Sequence, residues 1–438
     1  MHLGERVKAL SRNPVLAGTF IVTVGAFIGS IFSYFLQIGL GHLLSIEDFG
    51  TFNAFLSLSI IFGIPAGAVA TSLIREVTKL LAQRDFYTLK RFFWNFTKLS
   101  LVLGTVVSLL FILLNNQVSA YLNIGKTPVI FVFAVCLAFS FLNVAPSSYL
   151  QGLLRFKAFA FLSVISQFFR LIVPLSLVYA GFAVSGAYAG LAVVGILSFL
   201  VSILLLNKNF KQGNNPAQNL IHQKLPALYK ALLLFSIPVL FINSGIALLN
   251  NLDIILVKHF LTPYNAGIYA GVVTISKVFL FGASIVQVVM FPQISHLYAS
   301  GLNYKTRFIK FLLLQLLLIS GGLVCFALFP QVINSIMFGG KFTESITYLP
   351  LFSVFVALYI LITFLSMFLL AINKTKAFLV ILPACALQYG LITYFHTTIY
   401  SIVKANILSV GIACLFIIIY VVQSLHAGDR KSDCKGGK

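Results

Sequence analysis

The chain has 438 residues, of which 60% are hydrophobic and only 9% charged, and its formal net charge is +21. A soluble domain carries roughly 25% charged and 45–50% apolar residues, so a mean hydropathy of +1.02 excludes a water-compatible surface. With it go the soluble-enzyme and nucleic-acid-binding classes. The apolar runs are continuous over roughly 18 residues or more instead of alternating, which also excludes a transmembrane β-barrel.

A membrane-crossing helix needs about 20 apolar residues, and the runs predict an all-α polytopic membrane protein with about twelve transmembrane helices. In chain order the spans fall near 15–40, 52–73, 93–114, 128–150, 158–180, 184–206, 232–257, 265–291, 308–329, 349–370, 377–395 and 400–423. The first run is too long for the core of a cleavable signal peptide and reads as span 1 and its own signal anchor. Between spans 2 and 3, residues 74–92 mix charges with apolar side chains, which predicts short amphipathic helices at the membrane surface. Residues 207–230, with Lys208, Lys211, Asn214, Asn215, Pro216, Lys224, Pro226 and Lys230, read as a linker near the midpoint. The expected organisation is thus an N-terminal lobe (1–206, spans 1–6), a cytoplasmic linker (207–230) and a C-terminal lobe (231–438, spans 7–12) with a short basic tail. Proline punctuates the spans at Pro65, Pro146, Pro174, Pro238, Pro292 and Pro383, where it interrupts the helical ladder.

The basic charge has a membrane explanation. With the N-terminus in the cytoplasm, 23 of the 30 Lys and Arg residues fall in cytoplasmic segments, and only Lys126, Lys341 and Lys404 fall outside. That asymmetry follows the positive-inside rule. It predicts a multi-pass membrane protein with both termini cytoplasmic, and it needs no nucleic acid. The five cysteines are odd in number and form no CxxC pair, so neither a disulfide framework nor a zinc site is expected.

The sequence carries a weak copy of itself. His42–Phe52 aligns without a gap on His259–Tyr269, and Leu150–Phe159 aligns on Leu369–Phe378. The offsets are close to half the chain length. Six spans separate the copies, so both enter the membrane the same way up. The resulting expectation is two pseudo-symmetric six-helix lobes around a central cavity, an arrangement found in transporters that rock about a midplane site.

Ionisable groups inside spans are expensive and point to function. Arg170 in span 5 shares a helical face with Ser163, Ser166 and Gln167. In span 8, Lys277 shares one with Thr274, Ser284 and Gln287. Asp253 in span 7 shares one with Asn250 and Asn243, and Asn251 is adjacent. These stripes suggest a shared water-filled cavity; the plainer alternative is that each group satisfies a neighbour within the bundle. Arg170 and Lys277, with Gln167 and Gln287, are the candidate substrate-binding residues, because guanidinium and ammonium groups suit a diphosphate. Asp253, with Asn250 and Asn251, is the candidate ion-coupling group for Na⁺ or H⁺. The alternative for Asp253 is a salt bridge to Lys258 or Lys277. No catalytic set, metal-ligand spacing or Walker A motif is present, so no enzyme and no cofactor is expected, beyond a coupling ion.

These segments resemble a known family. LLSIEDFGTFNAFLSL (43–58), GIPAGAVATSLIREVTKLLAQRD (63–85), YLQGLLRFKAFAFLSVISQFFRLI (149–172), ALLNNLDIILVKHFLTPYNAGIYAG (247–271) and FLLAINKTKAF (368–378) are similar, in order and spacing, to the polysaccharide transporters of the multidrug/oligosaccharidyl-lipid/polysaccharide exporter (MOP) superfamily. That group includes the O-antigen flippases. The resemblance implies a twelve-helix, two-lobed fold that flips polyprenyl-diphosphate-linked oligosaccharides for cell-surface polysaccharide biosynthesis. Implied partners are the lipid-linked oligosaccharide, membrane lipids, a polysaccharide polymerase and glycosyltransferases. Asp253 matches the family's acidic position in span 7. Alternatives are a cation-coupled multidrug exporter of the same superfamily, and a membrane enzyme or scaffold of polysaccharide assembly.

Overall fold

A computed structural model describes residues 14–125, 128–212, 225–374 and 378–433. The N-terminal cations Arg6, Lys8 and Arg12, Lys126, residues 213–224 of the predicted linker, Lys376, and the tail beyond Asp433 lie outside the described residues. Within them the chain is helical, with no strand. The helices are α1 (Pro14–Leu43), α2 (Ile46–Ala82), α3 (Phe86–Leu113), α4 (Asn115–Tyr121), α5 (Pro128–Leu142), α6 (Val144–Gly152), α7 (Phe156–Leu177), α8 (Ala183–Gln212), α9 (Leu225–Phe260), α10 (Pro263–Ala299), α11 (Lys305–Leu328), α12 (Pro330–Phe338), α13 (Ser345–Ala371), α14 (Phe378–Tyr394) and α15 (Ile399–Asp433).

A helix stands at each of the twelve predicted spans, with α5 and α6 together filling the fourth. Nine segments of the described residues are long and apolar enough to cross a membrane. One of them, Phe156–Asn207, runs for 52 residues and is two helices. A π-helical turn at Val178–Phe182 separates α7 from α8, with Gly181 at φ 94° and Ala183 at φ 46°. The shorter apolar helix Leu379–Tyr394 and α9 stand at the two predicted spans that are not among those nine segments. Large apolar side chains such as Leu101, Val102, Leu109, Leu313 and Leu317 are exposed on α3 and α11, a surface suited to lipid hydrocarbon and not to water.

One local expectation fails. Residues 74–92 do not form separate surface helices. The helix α2 continues unbroken to Ala82, and α3 begins at Phe86. The charged stretch is therefore two helix ends and one tight turn. That turn is a Schellman motif: Arg84 is left-handed at φ 56°, and the Asp85 N–H donates to the Leu80 carbonyl at 3.1 Å. The Asp85 carboxylate then caps α3 by accepting from the Thr88 N–H at 3.0 Å.

The internal repeat is visible in these turns. The helices α2 and α10 are each 37 residues long and start 217 residues apart, at Ile46 and Pro263. Each has a hydroxyl N-cap. Ser45 accepts from the Asp48 N–H at 3.1 Å, and Thr262 accepts from the Asn265 N–H at 3.3 Å. Left-handed turn residues recur at matching places: Arg84 and Gly301, Asn123 and Gly340, Leu154 and Asn373. The short helices α4 and α12 also occupy equivalent positions. The repeat-related glycines Gly50 and Gly267 touch: a Cβ on Gly50 would lie 2.7 Å from the Gly267 backbone nitrogen. Only glycine allows two helices to cross that closely.

The chain forms two compact units. The first comprises Met1–Asp48 and Phe62–Leu240; the second comprises Phe49–Ile61 and Phe241–Lys438. The helix α9 therefore begins in the first unit and ends in the second, while α2 begins and ends in the first and contributes residues 49–61 to the second. In the first unit, α1 packs on α7, α3 on α5, and α8 on both α5 and α7. Its core includes Leu73, Val77, Phe92, Phe93 and Tyr149, and the Tyr149 hydroxyl donates to the Leu89 carbonyl at 3.0 Å. In the second unit α13 is central, packed by α10, α11 and α15. There Phe308 stacks on Phe368 at 3.7 Å, and Phe49 packs on Phe338 and Phe342.

Candidate functional site

In an apolar bundle, polar side chains gather where they can satisfy one another. The second unit holds such a gathering on α9, α10, α14 and α15. Asp253 on α9 is 1% exposed, and Asn406 and Gln388 are fully buried. The carboxylate accepts three hydrogen bonds. The Ile254 N–H donates to Oδ1 at 2.9 Å, the Tyr269 hydroxyl donates to Oδ2 at 2.5 Å, and Asn406 Nδ2 donates to Oδ2 at 3.3 Å. Asn406 Nδ2 also donates to the Tyr269 oxygen at 2.9 Å. Gln388 Nε2 extends the network, donating to Asn406 Oδ1 at 2.9 Å and to the Leu249 carbonyl at 3.2 Å.

The outer wall of this network is a small pocket of about 250 Å³, lined by Asn250 and Asp253 from α9, Ser276, Lys277 and Leu280 from α10, and Phe352 and Phe355 from α13. Its volume includes open space, and it is sized for water or a small ion, not a drug-sized ligand. The Ser276 hydroxyl is buried there without a hydrogen-bond partner. Asp253 forms no ion pair with Lys277 or Lys258, so the salt-bridge alternative for Asp253 does not hold among the described residues. Donors from two other helices and its own backbone surround its carboxylate instead. Such donors, together with the Lys277 ammonium, stabilise negative charge on Asp253.

The predicted site residues therefore separate into groups. Asn250, Asp253 and Lys277 line one pocket. Asn251 does not join them: its Nδ2 donates to the Ala247 carbonyl of its own helix at 2.8 Å. Gln287 lies ten residues beyond Lys277, roughly 15 Å along the helix, and donates to Thr363 Oγ1 at 3.3 Å. Arg170 and Gln167 belong to the first unit. Gln167 packs against Gly29 of α1, while Ser166 meets Ser198 of α8 at 2.8 Å. Arg170 has Cys136 of α5 and Tyr188 of α8 within electrostatic reach, and its Nε is buried without a hydrogen-bond partner.

Tyr269, Asn406, Gln388 and Ser276 were not among the sequence candidates. Asn406 and Gln388 carry a weak signal, as isolated amides within otherwise apolar spans. Tyr269 and Ser276 carry none, since hydroxyls of this kind are common in membrane helices. No group of three or more His, Cys, Asp or Glu residues that could hold a metal occurs among the described residues.

A family model described as polysaccharide biosynthesis protein matches residues 15–298. No curated protein matches the chain. Among solved structures, an inward-facing multidrug resistance MATE family transporter of the MOP superfamily matches with a TM-score of 0.71 at 14% identity, over 90% of this chain and 95% of that one. The lipid II flippase MurJ in an inward closed conformation matches with a TM-score of 0.66 at 12% identity, over 92% and 87%. A MOP superfamily transporter from Pyrococcus furiosus, described as having a binding pocket of reverse polarity, matches at 0.54 and 14% identity, over 94% and 96%. At these identities the likeness is one of fold: that of multi-pass membrane transporters and flippases, not of enzymes.

Proposed function

The chain belongs to the polysaccharide biosynthesis protein family, and we propose that it flips a polyprenyl-diphosphate-linked oligosaccharide across the cytoplasmic membrane. The termini are cytoplasmic. Transport is alternating access, in which the lobe of residues 1–206 rocks against the lobe of residues 231–438 about the linker 207–230. The interior cations Arg170 and Lys277 hold the diphosphate, with Gln167 and Gln287 as polar contacts for the sugar further along the path, while the polyprenyl chain stays in lipid. The observation that carries this reading is the pair of interior cations. Arg170 and Lys277 sit within apolar helices, and neither has a carboxylate within ion-pair distance among the described residues. Arg170, kept in such surroundings without a fixed counter-charge, and Lys277, whose pocket also holds Asp253, suit an anion that arrives and leaves.

Asp253 is the proposed coupling group. The donors around it argue against Na⁺, because a hard cation needs several oxygen ligands turned towards it, and leave the proton as the coupling ion. Three hydrogen-bond donors and Lys277 face the carboxylate here. Asn250 and the Ser276 hydroxyl are the remaining oxygens in the pocket wall. A buried carboxylate of this kind also favours the second reading, a cation-coupled multidrug exporter. The interior cations weigh against it, because they would repel a cationic drug.

The test is movement of a fluorescent polyprenyl-diphosphate saccharide between leaflets of liposomes containing the purified protein. Arg170→Ala and Lys277→Ala are expected each to abolish most of it. With a proton gradient imposed, Asp253→Asn is expected to remove the gradient dependence. Undiminished movement in both cation variants would reject the diphosphate site. Movement of a lipophilic cation but not of the saccharide would favour the exporter.

A further inference from the structure

Within the first unit, α3 buries one face, with Leu89, Phe92, Phe93, Phe96 and Gly104, and packs on α5, α6 and α8. Its outward face changes chemistry along its length. Tyr87, Arg91, Trp94, Lys98 and Val102 follow at intervals of four, three, four and four residues, and Leu109 and Leu113 continue the same stripe. Arg91 and Lys98 are exposed. Trp94 is 41% exposed, and the aliphatic residues Val102, Leu109 and Leu113 are 57%, 51% and 78% exposed. A cationic and aromatic start thus gives way to an aliphatic run, the order in which a bilayer passes from headgroups to hydrocarbon. Neither Arg91 nor Lys98 has a hydrogen bond or ion pair among the described residues. The carboxylates at this end of the unit are turned inwards. Glu76 and Asp85 are each 4% exposed; Glu76 accepts from Lys79 at 2.7 Å, and Asp85 caps α3. Glu47 and Asp48 stand at the far end of α2.

We propose that this outward face of α3 binds an anionic phospholipid of the bilayer. The phosphate lies between Arg91 and Lys98, and the acyl chains run along Val102, Leu109 and Leu113. Charge complementarity selects this occupant. Two exposed cations with no carboxylate beside them attract a headgroup of net negative charge, and they repel the amine of a zwitterionic one. Lys98 starts about 10 Å further along the helix than Arg91. Its Cα–Cβ bond tilts towards the helix start, and its long stem carries the ammonium back towards the headgroups. Trp94 stands between them, an amphipathic ring of the kind that collects at the membrane–water boundary. The site lies apart from Arg170 and Lys277 and is independent of the cargo that the protein moves.

Trp94 is the only tryptophan of the chain, so intrinsic fluorescence reports on this face alone. The full-length protein is reconstituted in phosphatidylcholine vesicles that contain increasing fractions of phosphatidylglycerol, or of phosphatidylcholine, with brominated acyl chains. Bromine quenches tryptophan at contact range, and the two titrations give the relative affinity of the site for the two lipids. A basic side chain at an anionic membrane surface contributes about a fivefold gain in association. Phosphatidylglycerol is therefore expected to be favoured at least about fivefold over phosphatidylcholine. The preference should shrink as salt is raised. It should vanish in the joint change Arg91→Gln with Lys98→Gln, which leaves the buried face of α3 untouched. Equal quenching by the two brominated lipids in the wild-type protein would overturn the proposal without any variant. A preference that survives the joint change would overturn it too, because other groups would then select the lipid. Relief of the quenching by trace amounts of unlabelled polyprenyl diphosphate would make this a cargo site and reject the phospholipid as its occupant.

Discussion

The bond between Tyr269 and Asp253 makes a sharp quantitative test. Tyr269→Phe keeps the ring, which packs edge-on against Phe352 at 5.7 Å, and removes the hydroxyl. Two hydrogen bonds go with it, the 2.5 Å donation to Asp253 Oδ2 and the 2.9 Å acceptance from Asn406. Asn406 keeps its other acceptor, Asp253 Oδ2, at 3.3 Å, so no amide hydrogen is stranded. Hydrogen bonds between membrane helices average about 0.6 kcal/mol in double-mutant cycles, whereas bonds to charged groups contribute about 1.5–3 kcal/mol. A cycle of Tyr269→Phe against Asp253→Asn therefore reports whether the carboxylate is ionised in the resting fold. The expected coupling is about 2 kcal/mol, because three donors and a lysine face it. It can be measured by reversible unfolding of the purified protein in mixed micelles titrated with sodium dodecyl sulfate. Coupling below about 0.5 kcal/mol would refute the idea that this network holds a negative charge.

Other changes follow from local geometry. Gly50→Val drives a side chain into the Gly267 backbone, 2.7 Å from the first added atom, and should cost about 1–3 kcal/mol, read as a lowered melting temperature; an unchanged melt would deny the helix crossing. Leu154 is left-handed at φ 57° and 48% exposed, so Leu154→Gly should gain roughly 0.5–1 kcal/mol, the left-handed penalty less glycine's entropy. Any loss of stability there would show that this turn is not left-handed. Gln315 on α11 is fully buried, and neither amide atom has a hydrogen-bond partner. Gln315→Leu should therefore stabilise the unfolding transition by about 1–3 kcal/mol. A destabilised Gln315→Leu would mean that water satisfies the amide.

The spans were legible because a membrane helix must satisfy its backbone within itself over a fixed length, which writes long apolar runs into the sequence. The N-caps were legible for a local reason, since Ser45 and Thr262 act on residues three positions away. The charged stretch 74–92 misled, because composition there reports where the chain leaves lipid and not where a helix stops. Its turn is set by Arg84 in a left-handed conformation that arginine does not advertise. At the site, Asp253, Asn250 and Lys277 announced themselves by charge or by spacing on one helix. Asn406 reaches Asp253 across 153 positions of sequence, and Gln388 joins through Asn406 and the Leu249 carbonyl; no local pattern encodes such pairings. Asn251 was a candidate only as an adjacent amide, and its side chain turns to its own backbone.

The division of α2 between the two units has a consequence for biosynthesis. Phe49, Phe52 and Phe55 are buried at 1% exposure or less in the unit completed by residues 241 onward. Ribosomes add about 5–20 residues per second, so this half-helix enters the bilayer roughly 10–40 seconds before Gly267 exists to meet Gly50. During that interval lipid tails must serve as its temporary partner, which three phenylalanines permit. The Asn53 amide nitrogen is already provided for, since it donates to the Phe49 carbonyl one turn back at 3.0 Å, while its Oδ1 has no hydrogen-bond partner. A ribosome-bound fragment ending before α10 should therefore sit stably across the bilayer with an unfinished seam along α2, available to an insertion chaperone or to a separately translated second half.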